Sequence, residues 1–259
     1  MFHTIRFYSG EGKPTIFCRS ESGVERLELS DVENISFSKK VSCIGYKSPE
    51  GYRQCPHFAT NTRQCPSCLA KDMSRAYTVG DFSGYPALYD EARKEEYALY
   101  LAGFGEDIIK CGITRKERFL ERMTEQGADF GCIICVFFGP DGVYSAEANV
   151  QSRFQFANSV RLAQKMRRLN FDRATAIEAF RSSVQMVCSS GMLPDFSPDI
   201  VDFSPNYPKL GKVREEDNIS GKIIGSKGEI LFYRSSLGVD CAVNMRKKVG
   251  THFEREKKS

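Results

Sequence analysis

Four cysteines in one short polar stretch constrain the fold of this chain more than any other feature. Cys43, Cys55, Cys65 and Cys68 fall within 26 residues, and the last two form a C-x-x-C knuckle. Two thiolates at that spacing can hold one tetrahedral metal ion from a tight turn, and two more complete a closed structural zinc site. His57 lies between them as a spare ligand. The stretch therefore predicts a structural zinc ion rather than a loop of free thiols.

The other six of the ten cysteines are scattered along the chain. The sequence opens without a continuous apolar run or a small-residue cleavage site, so we expect no signal peptide. We therefore expect a reducing compartment, where thiols are not paired as disulfides. No segment reaches the ~18 apolar residues that a membrane helix needs. We expect a cytoplasmic protein with no membrane partner, whose scattered cysteines are small buried side chains.

Turn residues and composition divide the chain into three parts of an α+β protein. Residues 1–92 begin with the alternating segments HTIRFYS, PTIFCRS, VERLELS and NISFSK, which predict strands ahead of the zinc knuckle. Residues 93–190 predict an α/β domain in the order strand, strand, helix, strand, helix, helix, with one apolar helix face from Ala146 to Val160. Residues 191–259 begin with a proline-rich linker and continue as a small β module with glycine turns.

The central part carries a specific pattern of polar residues. Tyr100 ends the segment YALY, Lys110 and Gly112 stand in KCGIT, and Arg122 and Glu147 follow in two predicted helices. This order is similar to the GIY-YIG superfamily, in which two strands carry the name-giving motifs and helices then supply an arginine and a glutamate. Lys110 stands where the nucleases of that superfamily most often have tyrosine, a substitution shared with a divergent branch. The resemblance implies a GIY-YIG-like central domain.

A second resemblance covers most of the chain. The segment KCGITRKERFLERMTEQGAD resembles the signature of an uncharacterised family catalogued as domain of unknown function 2797. The upstream cysteines and the C-terminal GKIIGSKGEIL and AVNMRKKVG also resemble the ends of that family. This resemblance informs the fold more than the function.

The GIY-YIG resemblance implies a phosphodiester site at Tyr100, Lys110, Arg122 and Glu147. A glutamate can hold a Mg²⁺ ion that binds substrate phosphate, and an arginine can clamp that phosphate. A tyrosine or a lysine beside them can move a proton. We expect Mg²⁺-dependent cleavage of nucleic acid at this site.

Two alternatives to cleavage follow from the same residues. Arg122 and Glu147 can form a structural ion pair while Tyr100 only packs its ring. The fold then serves as a non-catalytic platform that binds RNA, tRNA or DNA. An RNA-modifying enzyme is a further alternative, although the sequence has no glycine-rich cofactor loop to favour it. If the four residues converge on one open concave surface, cleavage is favoured. If Arg122 and Glu147 are buried and paired with each other, the non-catalytic platform is favoured.

The formal net charge of +4 is mildly basic and does not identify a partner by itself. A basic stretch contains Arg161, Lys165 and Arg168, and a second one ends the chain. We expect the first to contact nucleic-acid phosphates, the alternative being a solvated surface. The alternative for the chain end is a frayed tail.

The segment KIIGSKGE resembles the G-x-x-G loop of KH domains, which clamps a nucleic-acid backbone ahead of a helix. The residues that follow, EILFYRSS, are rich in β formers, so the loop is interpreted as a hairpin turn. Lys222 and Lys227 are expected to reach phosphates from that hairpin.

Overall fold

The computed structural model describes residues 1–10, 13–30, 32–194 and 196–257. The chain folds into two compact units, one made of Met1–Asp81 with Leu210–Ser259 and the other of Phe82–Lys209. Several sheets and eight α-helices are present among the described residues, which confirms the mixed α and β character. No described helix has the length and the apolar character that crossing a membrane requires.

The first unit begins with the four predicted strands, which are joined by short turns. They are β1 (Phe2–Tyr8), β2 (Thr15–Ser20), β3 (Gly23–Glu28) and β4 (Val32–Val41). The cysteine-bearing stretch follows as the strands β5 (Tyr46–Ser48) and β6 (Gly51–Arg53) and the helices α1 (Pro66–Lys71) and α2 (Ser74–Val79). Alternation along β2 buries Ile16 and Cys18 completely, as expected for a strand with one face on a core.

The second unit is a four-stranded antiparallel sheet with helices around it. Its elements are α3 (Pro86–Ala92), β7 (Glu96–Phe104), β8 (Ile108–Arg115), α4 (Phe119–Gln126), β9 (Phe130–Phe138), α5 (Val143–Phe154), α6 (Leu162–Met166), α7 (Arg173–Cys188) and β10 (Val201–Asp202). The strand order is β10-β9-β7-β8, with β7 buried between its neighbours. Gly127 ends α4 in the left-handed conformation with a φ of 67°, as its position after the helix predicts.

The helix that follows β9 is shorter than its apolar pattern predicts. It ends at Phe154, because Gln155 adopts a left-handed conformation with a φ of 54°. The amide of Ala157 then donates a hydrogen bond of 2.9 Å to the carbonyl of Ile109, beside β8. Ala157 is therefore part of an extended segment along the sheet edge, and the prediction that helix α5 continues to Val160 is wrong.

The chain returns to the first unit through its C-terminal strands. The strands are β11 (Arg214–Glu216), β12 (Ile219–Ser220), β13 (Lys222–Lys227), β14 (Ile230–Arg234), β15 (Asp240–Asn244) and β16 (Thr251–Lys257), and the short helix α8 (Met245–Lys248) precedes the last of them. Four of them form the sheet β11-β15-β14-β13. Strands β13 and β14 pair antiparallel around Gly228, which has a φ of 57°. The hairpin interpretation of GSKG is thereby confirmed, since a strand and not a helix follows the loop.

Strand β16 lies inside a six-stranded sheet of order β12-β4-β16-β1-β2-β3. Phe253 in its middle is 1% exposed and stacks on Phe2 with ring centroids 5.1 Å apart. The guanidinium of Arg255 lies 4.9 Å from the Phe2 ring. A frayed tail is therefore the wrong interpretation for residues 251–257, while the last two residues lie outside the described part.

Replacing Phe253 with alanine tests whether the chain end is a structural strand. The loss of a fully buried ring is expected to destabilise the first unit by about 3–5 kcal/mol. Leu237 is 88% exposed in the same unit, and Leu237→Ala as a control is expected to change stability by less than about 0.5 kcal/mol. Denaturant unfolding measures both variants, and equal stability of Phe253→Ala and wild type would contradict the β16 assignment.

Candidate functional site

The four predicted cysteines lie together in the first unit. Their sulfur atoms all fall within 4.8 Å of one another, and all four residues are buried. The Cys55 and Cys65 sulfurs are 3.8 Å apart. Zinc–sulfur bonds of about 2.3 Å in a tetrahedron place the sulfurs ~3.8 Å from each other, so this cluster is compatible with one zinc ion.

Short elements bring these cysteines together. Cys43 follows β4, Cys55 follows the β5–β6 hairpin, and Cys65 immediately precedes α1, which carries Cys68. A tight turn at Gly45 has a φ of 85°, and a Cβ there would lie 2.1 Å from the carbonyl oxygen of Arg53. Glycine is therefore required at this position, two residues after Cys43, because the end of the β5–β6 hairpin approaches its backbone closely.

Backbone amides around the cluster donate hydrogen bonds to its sulfurs. The amides of Cys65 and Gly45 donate to the Cys43 sulfur at 3.3 and 3.5 Å. Burial raises the pKa of Cys55, but hydrogen bonds from the amides of Ala59 and His57 and from the Cys43 and Cys68 side chains together lower that pKa to about 7. Burial raises the pKa of the Cys43 thiol. A cation at the centre is what allows four neighbouring sulfurs to ionise together.

His57 is not needed as a ligand in this arrangement. Its side chain is exposed, and Nε2 faces the Ser67 hydroxyl at 3.4 Å. A four-cysteine shell leaves no open coordination position, so a zinc ion here would be structural rather than catalytic.

A second group of polar side chains lies in the other unit, around Tyr100. This residue is 1% exposed and stands opposite Gly112 in the β7–β8 register. A Cβ on Gly112 would lie 2.5 Å from the Tyr100 hydroxyl oxygen. The glycine of KCGIT therefore makes room for the tyrosine ring on the neighbouring strand.

Gln126, the last residue of α4, connects the two strands of the predicted site. Its amide nitrogen donates to the Tyr100 hydroxyl at 2.7 Å, and its amide oxygen accepts from Lys110 Nζ at 2.8 Å. Its backbone carbonyl accepts a further hydrogen bond of 2.7 Å from Lys165. The sequence analysis did not name this residue as a site residue, although it lies in the segment that carries the family resemblance.

Arg122 and Glu147 approach the same strands from α4 and α5. The guanidinium of Arg122 interacts electrostatically with Tyr100 and Lys110, and so does the carboxylate of Glu147. Arg122 is 40% exposed and forms an ion pair of 3.1 Å with Glu125. The four predicted residues therefore converge, and together with Gln126 they form a polar cluster of Tyr100, Lys110, Arg122, Gln126 and Glu147.

The alternative of an Arg122–Glu147 ion pair is not seen in the described part of the chain. Glu147 accepts a hydrogen bond of 3.1 Å from Gln151, which also donates to the carbonyl of Cys111 at 3.2 Å. Gln151 is a second residue that no sequence pattern singled out. Glu147 is thus held by a neutral amide, and its carboxylate stays near Lys110.

Burial within the polar cluster shifts the pKa values of its members. Burial and the nearby Arg122 lower the pKa of Lys110 to about 8, an effect that Glu147 partly opposes. Burial raises the pKa of the Glu147 carboxyl, against the influence of Lys110. Burial also raises the pKa of Tyr100. An amine that titrates near neutrality can exchange a proton with a substrate at physiological pH.

The residues predicted to contact nucleic acid differ in their surroundings. Arg161 and Lys222 are exposed. Lys165 is 8% exposed, with Nζ 5.3 Å from the Phe104 ring centroid, and Lys227 is 3% exposed. Arg168 forms two hydrogen bonds of 2.5 and 2.6 Å with Asp107. Three of the five predicted cations therefore make contacts within their own unit.

The sequence model of one family, described as a protein of unknown function (DUF2797), matches residues 32–253. The chain belongs to this family. The match confirms the family resemblance seen in the sequence, and it includes all four cysteines and the whole polar cluster of this DUF2797 protein. No curated protein and no solved structure matches the chain.

The cysteine cluster predicts about one zinc ion per chain of the DUF2797 protein, by analogy with closed four-cysteine sites. Replacing Cys65 or Cys68 with serine is expected to release the metal and unfold the loop that carries it, because the ion takes the place of a core there. Cys188, in α7 of the other unit, provides the control Cys188→Ser. Elemental analysis after purification without chelator measures the zinc content of each variant. A wild-type protein free of zinc contradicts the assignment.

The polar cluster predicts that Lys110 titrates well below the ordinary lysine value of 10.5, with a midpoint of about 8. Glu147→Gln removes a charge that favours the ammonium form, so the midpoint falls further. Arg122→Gln removes a repelling charge, so the midpoint rises. Nuclear magnetic resonance of the labelled lysine side chain measures these shifts.

The control for this titration is Glu178→Gln, at an exposed glutamate of α7 that pairs with Arg181. It is expected to leave the Lys110 midpoint unchanged. A wild-type midpoint near the ordinary value contradicts the electrostatics of the polar cluster.

Proposed function

We propose that this protein acts on the phosphodiester bonds of nucleic acid at the polar cluster, with zinc as a structural ion in its other unit. The observation that carries the proposal is the chain of hydrogen bonds from Lys110 through Gln126 to Tyr100, at 2.8 and 2.7 Å. Arg122 and Glu147 interact electrostatically with that chain. The resemblance of the same positions to GIY-YIG nucleases supports this reaction class.

The groups of the cluster suit hydrolysis of a phosphodiester. The guanidinium of Arg122 is partly exposed and can bind a non-bridging phosphate oxygen, stabilising the charge that develops there. Neutral Lys110 can accept a proton from a water molecule as that water attacks phosphorus and the bond to the leaving oxygen breaks. Gln126 keeps the amine oriented while this happens.

Glu147 is the carboxylate of the cluster that can hold a Mg²⁺ ion. One or two protein carboxylates suffice for this ion, because it keeps several waters and binds substrate phosphate directly. When bound, it would neutralise charge on the phosphate. The other glutamate nearby, Glu125, is occupied by ion pairs with Arg118 and Arg122, both 3.1 Å long.

A non-catalytic nucleic-acid-binding factor is the second candidate. Two observations favour it, namely the 1% exposure of Tyr100 and the ion pair that holds Arg122 to Glu125. A buried phenol can serve packing alone, and a paired guanidinium is less available to a substrate. In this account the same fold binds RNA or DNA without cleaving it.

Cleavage of single-stranded and double-stranded DNA and RNA with Mg²⁺ or Mn²⁺ tests the proposal. Glu147→Gln is expected to abolish metal-dependent cleavage with nucleic-acid binding preserved, since it keeps the shape of the side chain and removes the metal ligand. Arg122→Ala is expected to slow the chemical step by about a hundredfold or more.

The matched control in this assay is Glu178→Gln, which removes an exposed carboxylate of the same unit and should cleave like wild type. If wild type and Glu147→Gln are equally inert on every substrate, cleavage is excluded and the binding factor is the better account.

A further inference from the structure

One face of the six-stranded sheet carries a row of alternating cationic and aromatic side chains. Ile16 and Cys18 of β2 point into the core, so Phe17 between them points to the opposite face. In the strand register, Phe17 lies opposite Arg6 of β1 on one side and Arg26 of β3 on the other. Two strand spacings separate the arginines by about 10 Å at their Cα atoms.

Aromatic rings border this row. The Arg6 guanidinium lies 4.6 Å and that of Arg26 lies 5.6 Å from the centroid of the half-buried Tyr8 ring. Tyr52, from strand β6 of the cysteine-bearing stretch, packs edge-on against Phe17 with centroids 5.7 Å apart. Both arginines are exposed residues. The cations are thus held against rings at a surface that solvent reaches.

A third cation, Arg19, adjoins the row, and it forms no ion pair with the acids of the described residues. Arg19 donates to His3 at 3.2 Å, and burial lowers the pKa of His3 to about 4, so this partner is neutral at pH 7. Among the described residues, Arg19 Nη1 and the Tyr52 hydroxyl are buried without a hydrogen-bond partner. Glu28, two residues after Arg26 on β3, lies 3.5 Å from Lys13 and accepts a hydrogen bond from Ser30.

We propose that this face, comprising Arg6, Tyr8, Phe17, Arg26 and the adjoining Arg19 and Tyr52, binds single-stranded nucleic acid. Arg6 and Arg26 would bind backbone phosphates, and unpaired bases would stack on the rings. A single strand is the occupant that fits, because it alone presents phosphates and free base faces together. The inference rests on the proposed function for the choice of nucleic acid, and it adds a binding surface outside the polar cluster.

Other occupants fit this face less well. A duplex presents phosphates but keeps its base faces stacked inside, so the rings would find no partner. The carboxylates of an acidic peptide can pair with the arginines, but the peptide offers no planar groups to stack on the rings. Stacking on aromatic rings tolerates every base, so binding is expected to depend on strand length and salt more than on sequence.

Fluorescence anisotropy with short labelled oligouridine and oligodeoxythymidine strands tests the proposal on the full chain. The double variant Arg6→Gln with Arg26→Gln is expected to weaken binding at least tenfold. It should also reduce the slope of log K against log salt by about 1.4, since each phosphate contact on a single strand contributes ~0.7. Phe17→Leu keeps an apolar side chain, loses the ring, and is expected to weaken binding about tenfold.

The matched control is Arg214→Gln with Arg246→Gln, at two other exposed arginines of the same unit, and it should bind like wild type. Zinc content and thermal unfolding establish that each variant is folded. Tighter binding of oligouridine than of oligodeoxythymidine would assign RNA, and equal binding would assign single strands of either kind.

Three results overturn the proposal. The first is an affinity of the arginine double variant equal to that of the control variant. The others are competition by a polyglutamate peptide, or by a duplex, as strong as competition by a single strand.

Failure of this proposal is distinct from failure of the proposed function. Cleavage that depends on Glu147 with normal binding by the arginine double variant rejects this surface alone. Loss of binding in that variant without any cleavage by wild type rejects only the catalytic proposal.

Discussion

The hydroxyl of Tyr100 is buried in the centre of a sheet, where an unpaired polar group costs about 1–3 kcal/mol. Gln126 supplies its hydrogen bond, and Gly112 leaves the space for its ring. The same glutamine orients Lys110 through its side chain and Lys165 through its carbonyl. One buried tyrosine thereby accounts for the positions of a glycine, a helix end and two lysines, and it organises the polar cluster.

The first unit depends on a different constraint. Residues 43–68 contain little regular structure beyond two three-residue strands and one short helix, so they bury little apolar surface. The four buried sulfurs supply the centre that such a stretch otherwise lacks. Tyr52, carried on this stretch, packs against Phe17 of the sheet. A zinc ion in the cluster would therefore also support one border of the arginine and aromatic surface.

Local sequence patterns predicted much of this structure. They did not predict which strands or side chains pair when these are far apart in the sequence. The strands from Phe2 to Val41, the end of α4 at Gly127 and the four-cysteine cluster follow from alternation, turn chemistry and spacing. No local signal indicates that the last strand inserts between β4 and β1, because that pairing joins the two ends of the chain. The burial of Lys165 was not predicted for the same reason, since the carbonyl that accepts its hydrogen bond is 39 residues away.

Photochemical cross-linking of bound nucleic acid to the full chain, followed by mass spectrometry of the linked peptides, tests the central claim most directly. The account predicts cross-links in the peptides that carry Tyr8 and Phe17, and in those that carry Lys110 and Arg122. A cross-linking pattern that avoids both groups, for example one confined to the exposed residues of α7, would contradict it. So would a protein that captures no nucleic acid even at low salt.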